Sequence, residues 1–141
     1  MLDLTHKRDA HIDQRLREDL IIWLGSVRPD GRPHLVAVWF LWTGQSLLIF
    51  SQPHQQKIRN LRQNQHVILA LDNTNLGVDP ITLEGEAELL ADPEVNTTLP
   101  DYVAKYGARI TGIGYTPETM AKAYSQTIRI TSIRFHDPPT G

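Results

Sequence analysis

Two short turn signals divide residues 21–51 into three apolar segments, and this spacing constrains the fold more than any other feature of the sequence. Residues 29–32 read Pro-Asp-Gly-Arg, in which proline presets one turn position and glycine supplies a positive φ. Residues 43–46 read Thr-Gly-Gln-Ser, a second hairpin-like turn. Connections this short join antiparallel neighbours, so the spacing predicts a meander of strands at 21–28, 34–42 and 46–51.

The rest of the chain adds three strands and several short helices. Strands are predicted at 66–72, 81–90 and 126–135. Helices are predicted at 9–20, 54–64 and 117–125. A further helix is predicted to begin at Asp92-Pro93-Glu94; Pro100 would interrupt it, and a second piece would end near Gly107. We therefore expect a mainly β fold in a single domain over residues 1–141. This domain would be a six-stranded antiparallel barrel with peripheral helices and a loose tail at 136–141.

The composition excludes several classes of protein. The 141 residues contain no cysteine, which excludes disulfides, thiolate metal sites and cysteine nucleophiles. Fourteen Lys and Arg against sixteen Asp and Glu give a net charge of −2, whereas nucleic-acid-binding domains are normally basic. The longest apolar run, 35–42, is far shorter than the ~20 residues of a membrane helix. The charged N-terminus also lacks the apolar segment of a secretory signal, so we expect a soluble cytoplasmic protein.

No motif for catalysis by residues close in sequence is present. The chain has no G-x-G-x-x-G, no phosphate-binding P-loop and no G-x-S-x-G nucleophile motif. Its six histidines, at 6, 11, 34, 54, 66 and 136, have no spacing typical of metal ligands. We therefore expect no metal site, and the sequence assigns no catalytic residue.

Residues 49–62, Ile-Phe-Ser-Gln-Pro-His-Gln-Gln-Lys-Ile-Arg-Asn-Leu-Arg, carry the strongest functional signal. A predicted strand ends at Phe50, Ser51 supplies a hydroxyl at its exit, and Lys57 lies about one turn into the next helix. Free N–H groups and the helix dipole attract an anion to such a helix start. A hydroxyl, free amides and an ammonium together suit a phosphate, although the same residues are also typical of a solvated basic helix face.

The segment 34–42 is apolar on both of its alternating faces and contains two Trp and one Phe. This pattern is typical of a strand in a barrel core or a dimer interface. A flat aromatic cofactor could also lie against such a strand and use its backbone N–H and C=O groups.

The order of these motifs resembles the split-barrel flavin and deazaflavin oxidoreductases related to pyridoxamine 5′-phosphate oxidase. The resemblance runs from Trp-Leu-x-Ser-Val-Arg and Pro-Asp-Gly-Arg-Pro through Val-Trp-Phe-Leu-Trp, Leu-Leu-Ile-Phe-Ser-Gln-Pro and Gln-Lys-x-Arg-Asn-Leu-Arg to Glu-Gly-x-Ala-Glu-Leu. It covers about residues 10–135 and is most specific over 20–90. Within this group, the chain is most similar to the F420-dependent branch.

The resemblance implies a six-stranded Greek-key split β-barrel that forms a homodimer, with a cofactor in each of two clefts at the subunit interface. It assigns the cofactor phosphate to Ser51, Gln52, Lys57 and Asn60. It assigns the ring system to a second set, with Gln56 assisting: His34, Val36, Val38 and Trp39. Some relatives have an arginine two positions before the lysine; this chain has Gln55, which removes one charge from the phosphate site.

The implied activity is hydride transfer to a small organic substrate by a flavoprotein-type cofactor, F420 or FMN, with F420 favoured by the branch resemblance. The longer anionic tail of F420 could meet arginines at the cleft mouth, namely Arg28, Arg32, Arg59, Arg62 and Arg109. The proton could come from solvent or from a tyrosine, Tyr102, Tyr106, Tyr115 or Tyr124. Two alternatives stay open: a non-catalytic flavin- or haem-binding protein, and an FMN-dependent oxidase of the pyridoxamine-phosphate-oxidase type.

Overall fold

The computed structural model describes residues 1–138, and in them a seven-stranded antiparallel sheet forms the body of the chain. The strands are β1 (Ile22–Val27), β2 (Pro33–Val38), β3 (Leu41–Trp42), β4 (Leu47–Ser51), β5 (His66–Leu71), β6 (Thr82–Leu90) and β7 (Gln126–Phe135). The helices in this part of the chain are α1 (Lys7–Glu18), α2 (Gln56–Gln63), α3 (Pro100–Gly112) and α4 (Pro117–Ala123). The prediction of a mainly β fold with peripheral helices is confirmed.

The strand count differs from the prediction because the segment predicted as one strand over 34–42 is two strands, β2 and β3. Between them, Phe40 leaves the ladder and bonds to α3 instead. Its N–H donates to the Tyr106 hydroxyl at 3.0 Å, and its carbonyl accepts from Lys105 Nζ at 3.0 Å. Side chains of α3 therefore satisfy the backbone groups that a continuous strand would have paired.

The short link between β2 and β3 forces the sheet to curl. The strands lie in the order β2-β1-β5-β6-β7-β4-β3, so β2 and β3 form its two opposite edges. Three peptide units separate Val38 from Leu41, and these span at most about 11 Å. The two edges must therefore approach each other, and the sheet becomes a barrel that is open between β2 and β3.

Two apolar clusters hold this fold together. The larger one fills the inside of the curled sheet, where alternate residues of β1, β4, β5, β6 and β7 point inward. The helices α1 and α2 each add two buried apolar residues to it: Ile12 and Leu16 from α1, and Ile58 and Leu61 from α2. The smaller cluster packs α3 and α4 on the other face of β3 and β4. Its buried members are Leu41, Leu48, Phe50, Tyr102, Tyr106, Ile110 and Met120.

The helix predicted from Asp92-Pro93-Glu94 is wrong, because the segment 91–99 forms turns and α3 begins at Pro100. The carboxylate of Asp92 accepts from the Glu94 N–H at 3.0 Å, and the Asn96 side chain accepts from the Thr98 N–H at 2.8 Å. These local bonds compete with a helix. Pro100 starts α3 rather than interrupting a helix, as proline favours the first helical position.

The other helix signal, at 116–118, correctly marks the start of α4. The Thr116 side chain accepts from the Thr119 N–H, and the Thr119 side chain accepts from the Thr116 N–H. No helix within residues 1–138 is long and apolar enough to cross a membrane.

The predicted tail begins with a residue that is fixed to β6. The His136 N–H donates to the Thr82 carbonyl at 3.0 Å, and His136 Nδ1 lies 2.6 Å from the Thr82 hydroxyl. The last three residues of that predicted tail, 139–141, lie outside the described part of the chain.

Candidate functional site

The junction between β4 and α2 presents the uncompensated positive end of a helix. Ser51 ends β4 as a buried residue, and its hydroxyl donates to the Gln52 carbonyl at 2.8 Å. Gln55 is the N-cap of α2, but its side chain donates to the Gln52 side chain at 2.8 Å rather than capping the helix. The first turn of α2 contains no acidic residue. The helix dipole at this end is therefore available to an external anion.

Lys57 is the second residue of α2 and is partly buried. Burial lowers the pKa of its ammonium, because the charged form loses hydration. Across residues 1–138, no hydrogen bond or ion pair satisfies this ammonium. A partly desolvated cation is costly unless it is paired, so the arrangement fits an anion supplied from outside the chain.

His34 faces the inside of the barrel from β2, directly opposite Ser26 of β1. Its Nδ1 atom is buried and has no hydrogen-bond partner among the described residues. Burial lowers the pKa of His34, and the charges of Arg28 and Lys57 lower it further. Arg28 is fixed above β2, since its Nη1 donates to the Pro33 carbonyl at 2.7 Å. We refer to Arg28, His34 and Lys57 as the cationic cluster.

Two of the residues assigned to the cofactor by the resemblance lie within an internal network. Asn60 is fully buried, and its Nδ2 donates to the Ser26 hydroxyl at 2.9 Å. Its Oδ1 accepts from Gln56 Nε2 at 2.7 Å, and Gln56 Oε1 in turn accepts from Arg59 at 2.6 Å. This network fixes α2 against β1 and so sets the position of Lys57. Sequence reasoning missed Ser26, although a lone polar residue on the inward face of an apolar strand is a signal for such a contact.

The four residues assigned to the ring system separate into two places. His34, Val36 and Val38 lie on one face of β2, where the two valines pack against the barrel core. Trp39 lies beyond the end of β2 and stacks on Tyr106 of α3, with ring centroids 4.8 Å apart and planes 4° apart. The structure therefore joins His34, Val36 and Val38 but not Trp39. Because β2 is an edge strand, one side of its backbone has no neighbouring strand within residues 1–138.

The outer face of the sheet exposes apolar surface beside this edge. Trp23, Leu35 and Ile68, which we call the outer patch, are 37 %, 63 % and 53 % exposed. Leu35 and Ile68 are both register partners of Gly25, where an added Cβ would lie 2.7 Å from Ile68 Cγ2. The outer patch lines a groove of about 430 Å³. A second groove, of about 560 Å³, continues across β5 and β6; it is lined by Gly25, Val27, Ile68, His66, Glu86 and Arg134, among others.

Comparison with known proteins places the chain in a family. The family model described as pyridoxamine 5′-phosphate oxidase matches residues 9–137. No curated protein sequence matches.

Solved structures share the fold. A protein named F420 reductase is 27 % identical, with a TM-score of 0.63, over 86 % of this chain and 94 % of that one. General stress protein 26 from Bacillus anthracis is 22 % identical, with a TM-score of 0.69, over 92 % and 94 %. HutZ, the haem storage protein from Vibrio cholerae, is 14 % identical, with a TM-score of 0.58, over 94 % and 90 %. The predicted split barrel is thereby confirmed, and the chain belongs to the pyridoxamine 5′-phosphate oxidase family.

Proposed function

We propose that this protein is an oxidoreductase that binds a phosphate-bearing flavin or deazaflavin and transfers hydride to a small organic substrate. F420 is the favoured cofactor, and FMN is the next candidate. The observation on which the proposal rests is the cationic cluster, in which the Lys57 ammonium and the buried Nδ1 of His34 both lack a partner among the described residues. The similarity to a protein named F420 reductase supports the choice of cofactor.

The phosphate would lie at the start of α2, between the cationic cluster and Ser51. Lys57 would supply a charge-assisted hydrogen bond, and the first N–H groups of α2 would supply neutral ones. Ser51 can accept a hydrogen bond while its proton is held by the Gln52 carbonyl. Gln52 lies partly exposed at the same turn. Asn60 and Gln56 would act indirectly, because their amides hold α2 in place.

The cofactor ring supplies the hydride chemistry when it is bound, and the chain would orient it. Val36 and Val38 offer an apolar surface next to the open edge of β2, whose free backbone groups could meet the polar edge of a ring. Tyr102 and Tyr106 are poor proton donors, because burial raises the pKa of both phenols and both lie in the smaller apolar cluster. Tyr115 and Tyr124 pack against the same cluster. Solvent is then the simplest source of the proton.

The outer patch supports a homodimer as the functional unit. Three large apolar side chains exposed on adjacent strands are unusual on a monomer and typical of an interface. A dimer through this face would place the open edge of β2 beside the second protomer, in keeping with a cofactor cleft shared by two subunits.

A titration of Lys57→Ala with FMN and with F420 tests the phosphate site. Loss of one charge-assisted hydrogen bond should weaken binding by about 1.5–3 kcal/mol, which is roughly 10- to 150-fold in Kd. Lys122→Ala, which removes an exposed lysine from α4, is the matched control and should bind like the parent chain. Unchanged affinity in Lys57→Ala would remove Lys57 from the phosphate site.

The alternative is a non-catalytic protein that binds a flavin or haem, a possibility raised by the likeness to a haem storage protein. Turnover distinguishes the two functions. The oxidoreductase should oxidise reduced F420 or FMN in the presence of an electron acceptor, whereas a storage protein should bind without turnover across a broad acceptor panel. An FMN-dependent oxidase would instead consume oxygen and produce peroxide.

A further inference from the structure

The buried nitrogen of His34 is the polar atom in the cationic cluster that most requires explanation. Buried polar atoms are nearly always hydrogen-bonded, yet Nδ1 of His34 has no partner within residues 1–138. Its register partner Ser26 does not bond to it, and the Ser26 hydroxyl instead accepts from Asn60 Nδ2 at 2.9 Å. Nδ1 is therefore available to form a hydrogen bond with a group that is not part of the chain.

The charges that face His34 are positive. Arg28 approaches from the turn between β1 and β2, and Lys57 approaches from α2; the two are the charged groups that shift the pKa of His34, both downward. The one carboxylate in that turn, Asp30, is paired with Arg32 at 2.8 Å. Burial and the two nearby cations all lower the pKa of His34 and so favour the neutral form of the imidazole.

A phosphate dianion in the cluster would cancel this field, because its two negative charges match the two positive charges of Arg28 and Lys57. It would neutralise Arg28 and Lys57 and leave a strong acceptor facing the imidazole. Protonated imidazole donates from both ring nitrogens, so protonation would also satisfy the buried Nδ1.

We propose that His34 takes up one proton from solvent when a phosphate monoester dianion binds between Arg28 and Lys57. An N–H bond forms on the imidazole, and that N–H donates to a phosphate oxygen; no other bond is made or broken. This inference rests on the proposed phosphate site. It concerns FMN, the phosphate monoester of the two candidate cofactors, and adds that FMN binding is coupled to pH.

Calorimetric titration with FMN between pH 7.0 and 8.5, in two buffers with different enthalpies of ionisation, measures the proton uptake directly. The phosphate monoester has its second pKa near 6 and is already a dianion in this range, so the ligand contributes little. We expect net proton uptake and an affinity that falls by up to about tenfold per pH unit. Riboflavin, which lacks the phosphate, should show neither effect.

Substitutions assign the proton. His34→Asn and His34→Gln should bind FMN more weakly and without proton uptake, and their thermal melts show whether each variant is folded. His6→Asn, which changes an exposed histidine in the N-terminal segment, is the matched control and should retain the uptake.

The outcomes separate the two proposals. Binding that depends on Lys57 but involves no proton uptake, or uptake that persists in both His34 variants, would overturn this inference alone. If FMN binds no more tightly than riboflavin, the phosphate site is refuted and this inference with it.

Discussion

Replacement of Asn60 by alanine should destabilise the protein even in the absence of any ligand. The Asn60 amide is fully buried and makes two hydrogen bonds, to the Ser26 hydroxyl at 2.9 Å and to Gln56 Nε2 at 2.7 Å. Each bond contributes about 1 kcal/mol, and the buried hydroxyl of Ser26 loses a partner, which costs a further 1–3 kcal/mol or so. We expect Asn60→Ala to lower the free energy of unfolding by about 3–5 kcal/mol.

Urea denaturation followed by circular dichroism measures this change. Gln63→Ala, at an exposed position in the same helix, is the control and should fall within about 0.5 kcal/mol of the parent. The double variant Ser26→Ala with Asn60→Ala should regain part of the loss, because it removes the orphaned hydroxyl. A loss below about 0.5 kcal/mol in Asn60→Ala would refute the structural role that we give to this residue.

Two further predictions concern stability against pH and assembly. Burial lowers the pKa of Lys105 to about 8, so the unfolded chain, in which this pKa is about 10.4, binds more protons above pH 8. The free energy of unfolding should therefore rise by about 1–2 kcal/mol between pH 8 and 9.5, as measured by urea denaturation at each pH. The variant Lys105→Met should show no such rise. An identical rise in this variant would contradict the assignment to Lys105. Ile68→Asp in the outer patch should dissociate a dimer in sedimentation experiments, whereas Ile113→Asp, an equally exposed position after α3, should not. Unchanged assembly in Ile68→Asp would exclude the outer patch as the interface.

Features encoded by neighbouring residues could be predicted from the sequence. The turn at 29–32 forms as expected: the Arg28 N–H donates to the Arg32 carbonyl, and Gly31 adopts a φ of 89°. The start of α4 is local too, since Thr116 and Thr119 cap it reciprocally. Asp92-Pro93-Glu94 carries a similar sequence signal, but the Asp92 carboxylate accepts from the Glu94 N–H within a turn instead of capping a helix. The residue that would take the third helical position there has no side chain that could complete a reciprocal cap.

Features that depend on distant partners could not be predicted. The break between β2 and β3 exists because Tyr106 and Lys105, some 65 residues later in the chain, bond to the backbone of Phe40. The helix pattern of α2 identifies Ile58 and Leu61 as its buried stripe but does not show that Asn60 is buried beside them. The contact that buries Asn60 comes from Ser26, whose position depends on the curl of the whole sheet.

A crystal structure of the protein with bound F420 or FMN tests the central claim most directly. We predict that the phosphate lies at the start of α2, within hydrogen-bonding distance of Lys57 Nζ, between Lys57 and Arg28 and facing His34. A phosphate bound elsewhere, with the Lys57 ammonium directed into bulk water, would contradict the account.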